Sequence, residues 1–143
     1  MANEQRVLAT FLELVQIDNP SGGEGPIAAH IRAELERLGL SVHEDGIHNL
    51  FARVPGDGAP LLLNAHMDSV APCHGVRPVV ENGSIRSSGD TVLGADDLAG
   101  VTAIVEALRA TLERGGSHRA AEILFTVQEE VGLRGAALFD TRL

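Results

Sequence analysis

Two short apolar runs constrain the fold of this sequence more than any other feature. Residues 61–65 read Leu-Leu-Leu-Asn-Ala and residues 123–127 read Ile-Leu-Phe-Thr-Val, so neighbouring positions are apolar rather than alternating with polar ones. Because successive side chains of a strand point to opposite faces, such runs predict strands buried in a sheet that is covered on both faces.

Helical segments surround these runs. Apolar side chains that recur three and four positions apart, with capping residues at the segment ends, predict four helices: one from an N-cap at Asn3 to before Asn19, one from a Ser21/Glu24 capping box to Gly39, one over residues 98–114 and one over residues 133–139. Turn signals at Asp45-Gly46 and Asn82-Gly83 predict two hairpins, over residues 41–54 and 77–88. This order predicts an α/β fold, a three-layer α/β/α sandwich with a mixed sheet.

The loop before the second helix is rich in glycine and proline. Residues 19–26 read Asn-Pro-Ser-Gly-Gly-Glu-Gly-Pro, and no Gly-Lys-Ser/Thr follows them, so a nucleotide-binding loop is not expected. On the helix after this loop, Glu34, Glu36 and Arg37 are interpreted as a solvated face.

Imidazole and carboxylate groups stand at the ends of the predicted elements. Three clusters follow a buried strand or precede a helix: His66-Met67-Asp68, Asp96-Asp97 and Gln128-Glu129-Glu130. Ligands of open sheets bind beyond the carboxyl ends of strands, so the first and third clusters are expected to meet at one edge. The N-terminus of the third helix can bring the Asp pair to the same place.

Each cluster alone has a structural interpretation. A His-x-Asp pair is commonly only a hydrogen-bonded pair. Two acids at the start of a helix interact favourably with the helix dipole, and a Glu pair can be the solvated end of a strand. Together they supply the nitrogen and oxygen ligands that zinc takes. Asp68 could then fix the tautomer of His66, one acid of the Asp pair could bridge two ions, Glu130 could ligate the second ion, and Glu129 could take a proton from metal-bound water.

These motifs resemble those of the zinc-dependent exopeptidases and deacylases that include peptidase T, carboxypeptidase G and aminoacylase. The likeness is greatest to the peptidase-T-like (tripeptidase-like) branch. It is carried by three stretches, residues 63–70, 93–100 and 125–132, and more weakly by residues 14–21.

The resemblance implies a role for each candidate residue. His66 would ligate one metal ion, Asp96 would bridge both and Glu130 would ligate the other, while Asp68 would orient His66 and Glu129 would be the general base. It also implies a cis peptide bond between Asp96 and Asp97, and two Zn²⁺ ions for which cobalt or manganese could substitute. The implied substrate is a short peptide or an N-acyl amino acid, and cleavage from either terminus stays open.

The sequence departs from the family pattern in two ways. Leu98 stands where family members usually carry Lys, and the family's remaining acidic ligand and last His come later than residue 143. The resemblance therefore implies that residues 1–143 are the N-terminal segment of one catalytic domain, without its lid and dimerisation domain. This chain would be inactive alone, and a homodimer could form through the missing domain. The alternative is a non-catalytic truncated or repurposed domain that binds metal weakly or acts as an interaction module.

Charge and cysteine content exclude several other classes. The net charge of −9 disfavours nucleic acid and anionic membranes as partners, and no apolar run approaches the roughly 18 residues of a membrane span. Cys73 is the only cysteine, so no internal disulfide can form, and Cys73-His74 is interpreted as an incidental loop rather than a ligand pair. With no secretory leader at the N-terminus, these features predict a cytoplasmic protein.

Overall fold

A computed structural model describes residues 3–143, and the first two residues of the N-terminal stretch lie outside this range. The helices are α1 (Glu4–Leu14), α2 (Gly25–Arg37), α3 (Ala95–Arg114) and α4 (Arg134–Leu138). The strands are β1 (Val42–Glu44), β2 (Leu50–Val54), β3 (Asp57–His66), β4 (Pro78–Glu81), β5 (Ser84–Ser87) and β6 (Arg119–Thr126).

The main sheet is mixed, as the sequence predicts. Its strand order is β1-β2-β6-β3, with antiparallel pairing of β1 with β2 and of β2 with β6, and parallel pairing of β6 with β3. The hairpin of β4 and β5 forms a separate two-stranded sheet. In the parallel pair His66 lies opposite Thr126, so β3 and β6 end side by side at one edge.

One hydrophobic core joins the sheet to its helices. Helix α3 packs on β3 and on α1, and the core includes the fully buried side chains of Ile27, Ile31, Leu98, Ile123 and Phe125. The α/β prediction with a mixed sheet is confirmed. No helix within residues 3–143 is long and apolar enough to cross a membrane.

The predicted cap of the first helix is confirmed, whereas the predicted capping box of the second is wrong. Asn3 accepts a hydrogen bond from the backbone N–H of Arg6 at 3.2 Å. Glu24 occupies the N-cap of α2, yet no side chain caps that helix. The Ser21 hydroxyl instead bonds to the distant Asp68, and the Glu24 carboxylate accepts from the backbone N–H groups of Gly22, at 2.9 Å, and of the distant Gln128.

Two predictions of exposure are also wrong. Leu61 and Leu62 are 52% and 54% exposed, because β3 is the last strand of the sheet and not an inner one. Glu34 is only 6% exposed, because it forms an ion pair with Arg109 of α3 rather than facing solvent.

Candidate metal centre

The centre lies where β3 and β6 end. His66 is the last residue of β3, and its ring is largely buried. Its Nδ1 lies 3.0 Å from the backbone oxygen of Asp68 and 3.3 Å from Asp68 Oδ1. Its Nε2 lies 3.1 Å from Asp96 Oδ1, so the imidazole stands between two carboxylates from different elements.

Three of the candidate residues bring ligand atoms together. One atom from each of His66, Asp96 and Glu130 lies within 4.8 Å of the other two, and residues 3–143 contain no other such group of three His, Cys, Asp or Glu. Asp96 is largely exposed, whereas His66 is buried, so the group opens to solvent on the side of Asp96. Glu129 lies beside this group, with its Oε2 3.8 Å from His66 Nε2.

The donor set fits a divalent cation. One imidazole nitrogen and two carboxylate oxygens are donors that zinc accepts, at bond lengths of about 2 Å, and a further carboxylate stands next to them. Three acids lie around one imidazole, and a bound cation would offset the repulsion between their negative charges. A shallow cleft that includes Ser69, Leu93, Asp96 and Glu130 adjoins the group and offers room for a ligand.

Asp68 connects the two strand ends. Its side chain has no exposed surface, and it accepts hydrogen bonds from the backbone N–H groups of Glu129 at 2.9 Å and Glu130 at 3.2 Å. It also accepts one from the hydroxyl of Ser21 at 2.6 Å. A single buried carboxylate thus holds both His66 and the backbone of the Glu pair.

The environment shifts the pKa values of this pair in opposite directions. Burial alone would lower the pKa of His66, but the hydrogen bonds to Asp68 and Asp96 outweigh it and raise the pKa to about 9. Burial alone would raise the pKa of Asp68, but hydrogen bonds from His66, Ser21 and the two backbone amides lower it to about 2. Without metal, His66 is therefore a cation held by buried and exposed carboxylates at neutral pH.

The pKa of Glu130 is raised. Burial is the main cause, and the nearby negative charges of Asp96 and Glu129 add to it. A cation between these groups would reverse the effect of those charges, because it favours the ionised form.

The start of α3 presents Asp96 to the centre. The peptide bond between Asp96 and Asp97 is cis, as the resemblance implies, and both residues depart from helical dihedrals, so the regular helix begins near Leu98. Asp97 turns back and accepts a hydrogen bond from the N–H of Gly100 at 3.2 Å. A Cβ at Gly100 would lie 2.4 Å from Asp97 Oδ1, so a larger residue there would displace this carboxylate. Leu98 itself is fully buried in the core.

The sequence interpretation missed two residues that support the Glu pair. Glu24 accepts a hydrogen bond from the backbone N–H of Gln128 at 3.0 Å, and Asn49 accepts one from the N–H of Val127 at 3.1 Å. The Asn49 amide also donates to the carbonyl of Gly135 in α4 at 2.9 Å. The local capping pattern at Glu24 obscured this role, because Gln128 lies 104 positions away along the chain.

Cys73 and His74 stay apart from the metal-ligand group. Cys73 is buried with its sulfur 3.7 Å from the carbonyl of Ser69, and His74 lies 3.1 Å from Asp18.

Comparison with known proteins gives consistent matches. A family model described as Peptidase family M28 matches residues 49–141. A protein of Bacillus subtilis strain 168, named uncharacterized protein YqjE, is 41% identical over 150 residues, which cover 98% of this chain and 40% of the relative.

Two solved structures share the fold closely. A tripeptidase from Staphylococcus aureus superposes with a TM-score of 0.96 at 39% identity, covering 99% of this chain and 41% of that one. The aminopeptidase PepT from Bacillus cereus gives a TM-score of 0.94 at 35% identity, with 99% and 41% covered. The chain thus spans about two fifths of the length of these relatives.

Proposed function

The chain belongs to peptidase family M28, and from this premise we propose that it is the metal-binding part of an exopeptidase that hydrolyses short peptides. The observation that carries the proposal is the convergence of His66, Asp96 and Glu130, with ligand atoms within 4.8 Å of one another at the paired ends of β3 and β6. The names of the two solved neighbours, a tripeptidase and an aminopeptidase, support short peptides as the substrate class.

We assign the metal to these three side chains. His66 would hold one Zn²⁺ through Nε2, Glu130 would hold a second, and Asp96, exposed between them, would bridge the two. Bound there, the ions would polarise the scissile carbonyl and make water a stronger nucleophile at neutral pH. Cobalt or manganese would serve in place of zinc, because the donors are one imidazole and carboxylates.

Glu129 is the proposed general base. Its carboxylate lies 3.8 Å from His66 Nε2, beside the group of three ligands and not among them, and it is partly exposed. It can therefore take a proton from the attacking water, hold it, and pass it to the departing amine. Asp68 would keep His66 in one orientation, with Nε2 turned to the metal side.

A chimaeric enzyme tests the peptidase function directly. This chain would replace the corresponding 41% of the Staphylococcus aureus tripeptidase, whose fold it matches over 99% of its length. Release of amino acids from a tripeptide is expected to require metal and to fall by about 10²- to 10⁴-fold in Glu129→Gln, with metal binding retained. His43→Ala, which removes an exposed histidine elsewhere, is the matched control. A folded, metal-loaded chimaera without hydrolysis would contradict the proposal.

A second candidate is a non-catalytic interaction module. The observation that favours it is the exposure of Leu61 and Leu62 at 52% and 54% on the outermost strand of the sheet, a surface suited to another segment. The chimaera distinguishes the two functions, because an interaction module would restore folding but not hydrolysis.

A further inference from the structure

The loop of residues 19–24, between α1 and α2, bridges the two chain segments that carry the metal ligands. Asn19 donates through Nδ2 to the carbonyl of Met67 at 2.8 Å and to Ser69 Oγ at 3.0 Å, and its own carbonyl accepts from the N–H of Ser69 at 3.0 Å. Ser21 and Glu24, further along the loop, reach Asp68 and the turn after β6. The loop therefore contacts the ends of both β3 and β6.

Two buried carboxylates hold three successive amides of that turn. Glu24 accepts from the N–H of Gln128 at 3.0 Å, and Asp68 accepts from those of Glu129 at 2.9 Å and Glu130 at 3.2 Å. Glu24 is 6% exposed and Asp68 has no exposed surface. The two carboxylates thus hold the turn through its backbone amides, and this turn carries the proposed base and one proposed ligand.

The turn needs these acceptors because its backbone is not in a relaxed conformation. Gln128 has a φ of +53°, a left-handed conformation that a residue with a side chain rarely adopts. Amides near the protein interior cost free energy when they have no acceptor, so loss of either carboxylate would let the turn move toward water.

Ser21 helps to hold the carboxylate of Asp68, which accepts two of these three amide hydrogen bonds. Its hydroxyl donates to Asp68 Oδ2 at 2.6 Å, the same oxygen that accepts from the N–H of Glu130. The other oxygen of Asp68 faces His66 Nδ1 and the N–H of Glu129. Without the hydroxyl, Oδ2 would keep only the N–H of Glu130 as a partner, so the carboxylate would hold the imidazole and the Glu pair less firmly relative to one another.

We propose that Ser21 and Glu24 are positioning residues for the metal centre. Ser21 acts through Asp68, and Glu24 acts through the backbone of Gln128; neither touches metal or substrate. They set metal affinity by holding His66 and Glu130 in the relative positions that the metal centre requires. This inference rests on the proposed function, since it assigns the two residues to the same metal centre.

Co²⁺ titration of the 143-residue chain, followed by visible absorption, tests the inference. In Ser21→Ala the Kd for Co²⁺ is expected to rise by about 10- to 100-fold, the usual effect of removing a group that holds a metal ligand in place. Ser21→Thr, which keeps the hydroxyl, is expected to restore the affinity. The matched control is Ser117→Ala, which removes another Ser hydroxyl bonded to an Asp, Asp57, outside the centre.

Glu24 is tested by two variants. Glu24→Gln keeps an oxygen that can accept from Gln128 and is expected to stay within about threefold of the parent Kd. Glu24→Ala removes the acceptor, and we expect both weaker Co²⁺ binding and faster hydrogen exchange at the Gln128 amide in metal-free protein, measured by NMR.

The outcomes separate the two proposals. Parent-like Kd values in folded Ser21→Ala and Glu24→Ala would overturn the positioning role alone, as would an equal loss of affinity in Ser117→Ala. If the parent chain binds no Co²⁺, the metal function and this inference both fail. Unchanged exchange at Gln128 in Glu24→Ala would contradict the role of Glu24 whatever the metal does.

Discussion

At the scale of single residues, the pair of His66 and Asp68 controls how the centre responds to pH. The pKa of the imidazole is raised from 6.5 to about 9, and the pKa of the carboxyl is lowered from 3.8 to about 2. The two shifts share one cause, the contact of Nδ1 with the buried carboxylate at 3.3 Å. Asp96 adds to the shift of His66, and Ser21 and the backbone amides of Glu129 and Glu130 add to that of Asp68. Each shift makes the stability of the metal-free chain depend on pH.

The stability of the metal-free chain is expected to fall as pH rises from about 6.5 to 9. Because the pKa of His66 is higher in the folded chain, its protonation stabilises the fold fully below pH 6.5. This contribution is lost as the pH rises through about 9. Because the pKa of Asp68 is lower in the folded chain, its ionisation stabilises the fold fully above pH 3.8. That contribution is lost as the pH falls through about 2. Urea unfolding in EDTA measures the effect, which His66→Gln should remove and His43→Gln should leave. Parallel pH slopes for parent and His66→Gln would contradict it.

Metal binding at neutral pH is expected to release protons. His66 is protonated below about pH 9 in the metal-free chain and must be neutral to ligate an ion, so binding near pH 7 displaces about one proton from it. Calorimetric titration with Zn²⁺ in two buffers of different ionisation enthalpy measures that proton. Identical heats in both buffers would contradict the displacement of a proton from His66.

At the scale of elements, the ends of β3 and β6 carry the centre, and neighbouring elements hold them in place. Helix α4 packs against the end of β6 through Gly135, which is buried. A Cβ there would lie 2.4 Å from the carbonyl of Val127 and 2.5 Å from Asn49 Oδ1. The glycine is therefore required by the close approach of two backbones just before the Glu pair.

Substitution at this contact is expected to destabilise the fold. Gly135→Ala would force apart α4 and the end of β6, at a cost of about 1–3 kcal/mol, as for other overpacked sites. Gly46→Ala is the control, because a Cβ at Gly46 meets nothing within 4 Å, and its effect should stay within about 0.5 kcal/mol. Urea unfolding midpoints measure both; equal midpoints would contradict the packing argument.

Local patterns in the sequence predict most helices and strands and the convergence of the three acidic and imidazole clusters. They do not predict the long-range hydrogen bonds that hold these clusters in place. Parallel neighbours end at the same edge, so the positions of His66 and Glu130 follow once β3 and β6 are recognised. The resemblance built on the same motifs is confirmed by the tripeptidase and PepT matches. The roles assigned to individual site residues stay predictions.

The errors have a common physical reason. Ser21 has a local capping interpretation, but its partner Asp68 lies 47 positions away. Glu34 looks solvated on its own helix, but Arg109 of α3 pairs with it. The periodicity of apolar residues describes one helix or strand at a time. It contains no information about which side chains of another element will pack against it.

At the scale of the whole molecule, the sheet has an outer strand with apolar side chains. Leu61 and Leu62 point to opposite faces of β3 and are both more than half exposed. Within residues 3–143, β3 has β6 as its only strand neighbour. Edge strands of this kind pair readily with other chains.

The 143-residue chain is therefore expected to self-associate with rising concentration. Leu62→Lys places a charge on the edge strand and should lower the weight-average sedimentation coefficient at high concentration. Leu138→Lys is the control, since Leu138 is 63% exposed and belongs to α4 and not to the edge strand. A chain that stays monomeric throughout, or equal effects of the two variants, would contradict the edge as the site of association.

Metal binding by His66, Asp96 and Glu130 is tested by the melting temperature of the chain in EDTA and in excess Zn²⁺, beside those of Asp96→Ala and Glu130→Ala. An ion bound only to the folded state stabilises it by about 2.7 kcal/mol at a hundred times its Kd, which raises the melting temperature by several degrees. We expect this rise in the parent and in Asp90→Ala, which removes an exposed acid outside the centre, and its loss in the other two variants. No rise, or an equal rise in all four proteins, would contradict a metal centre built from His66, Asp96 and Glu130.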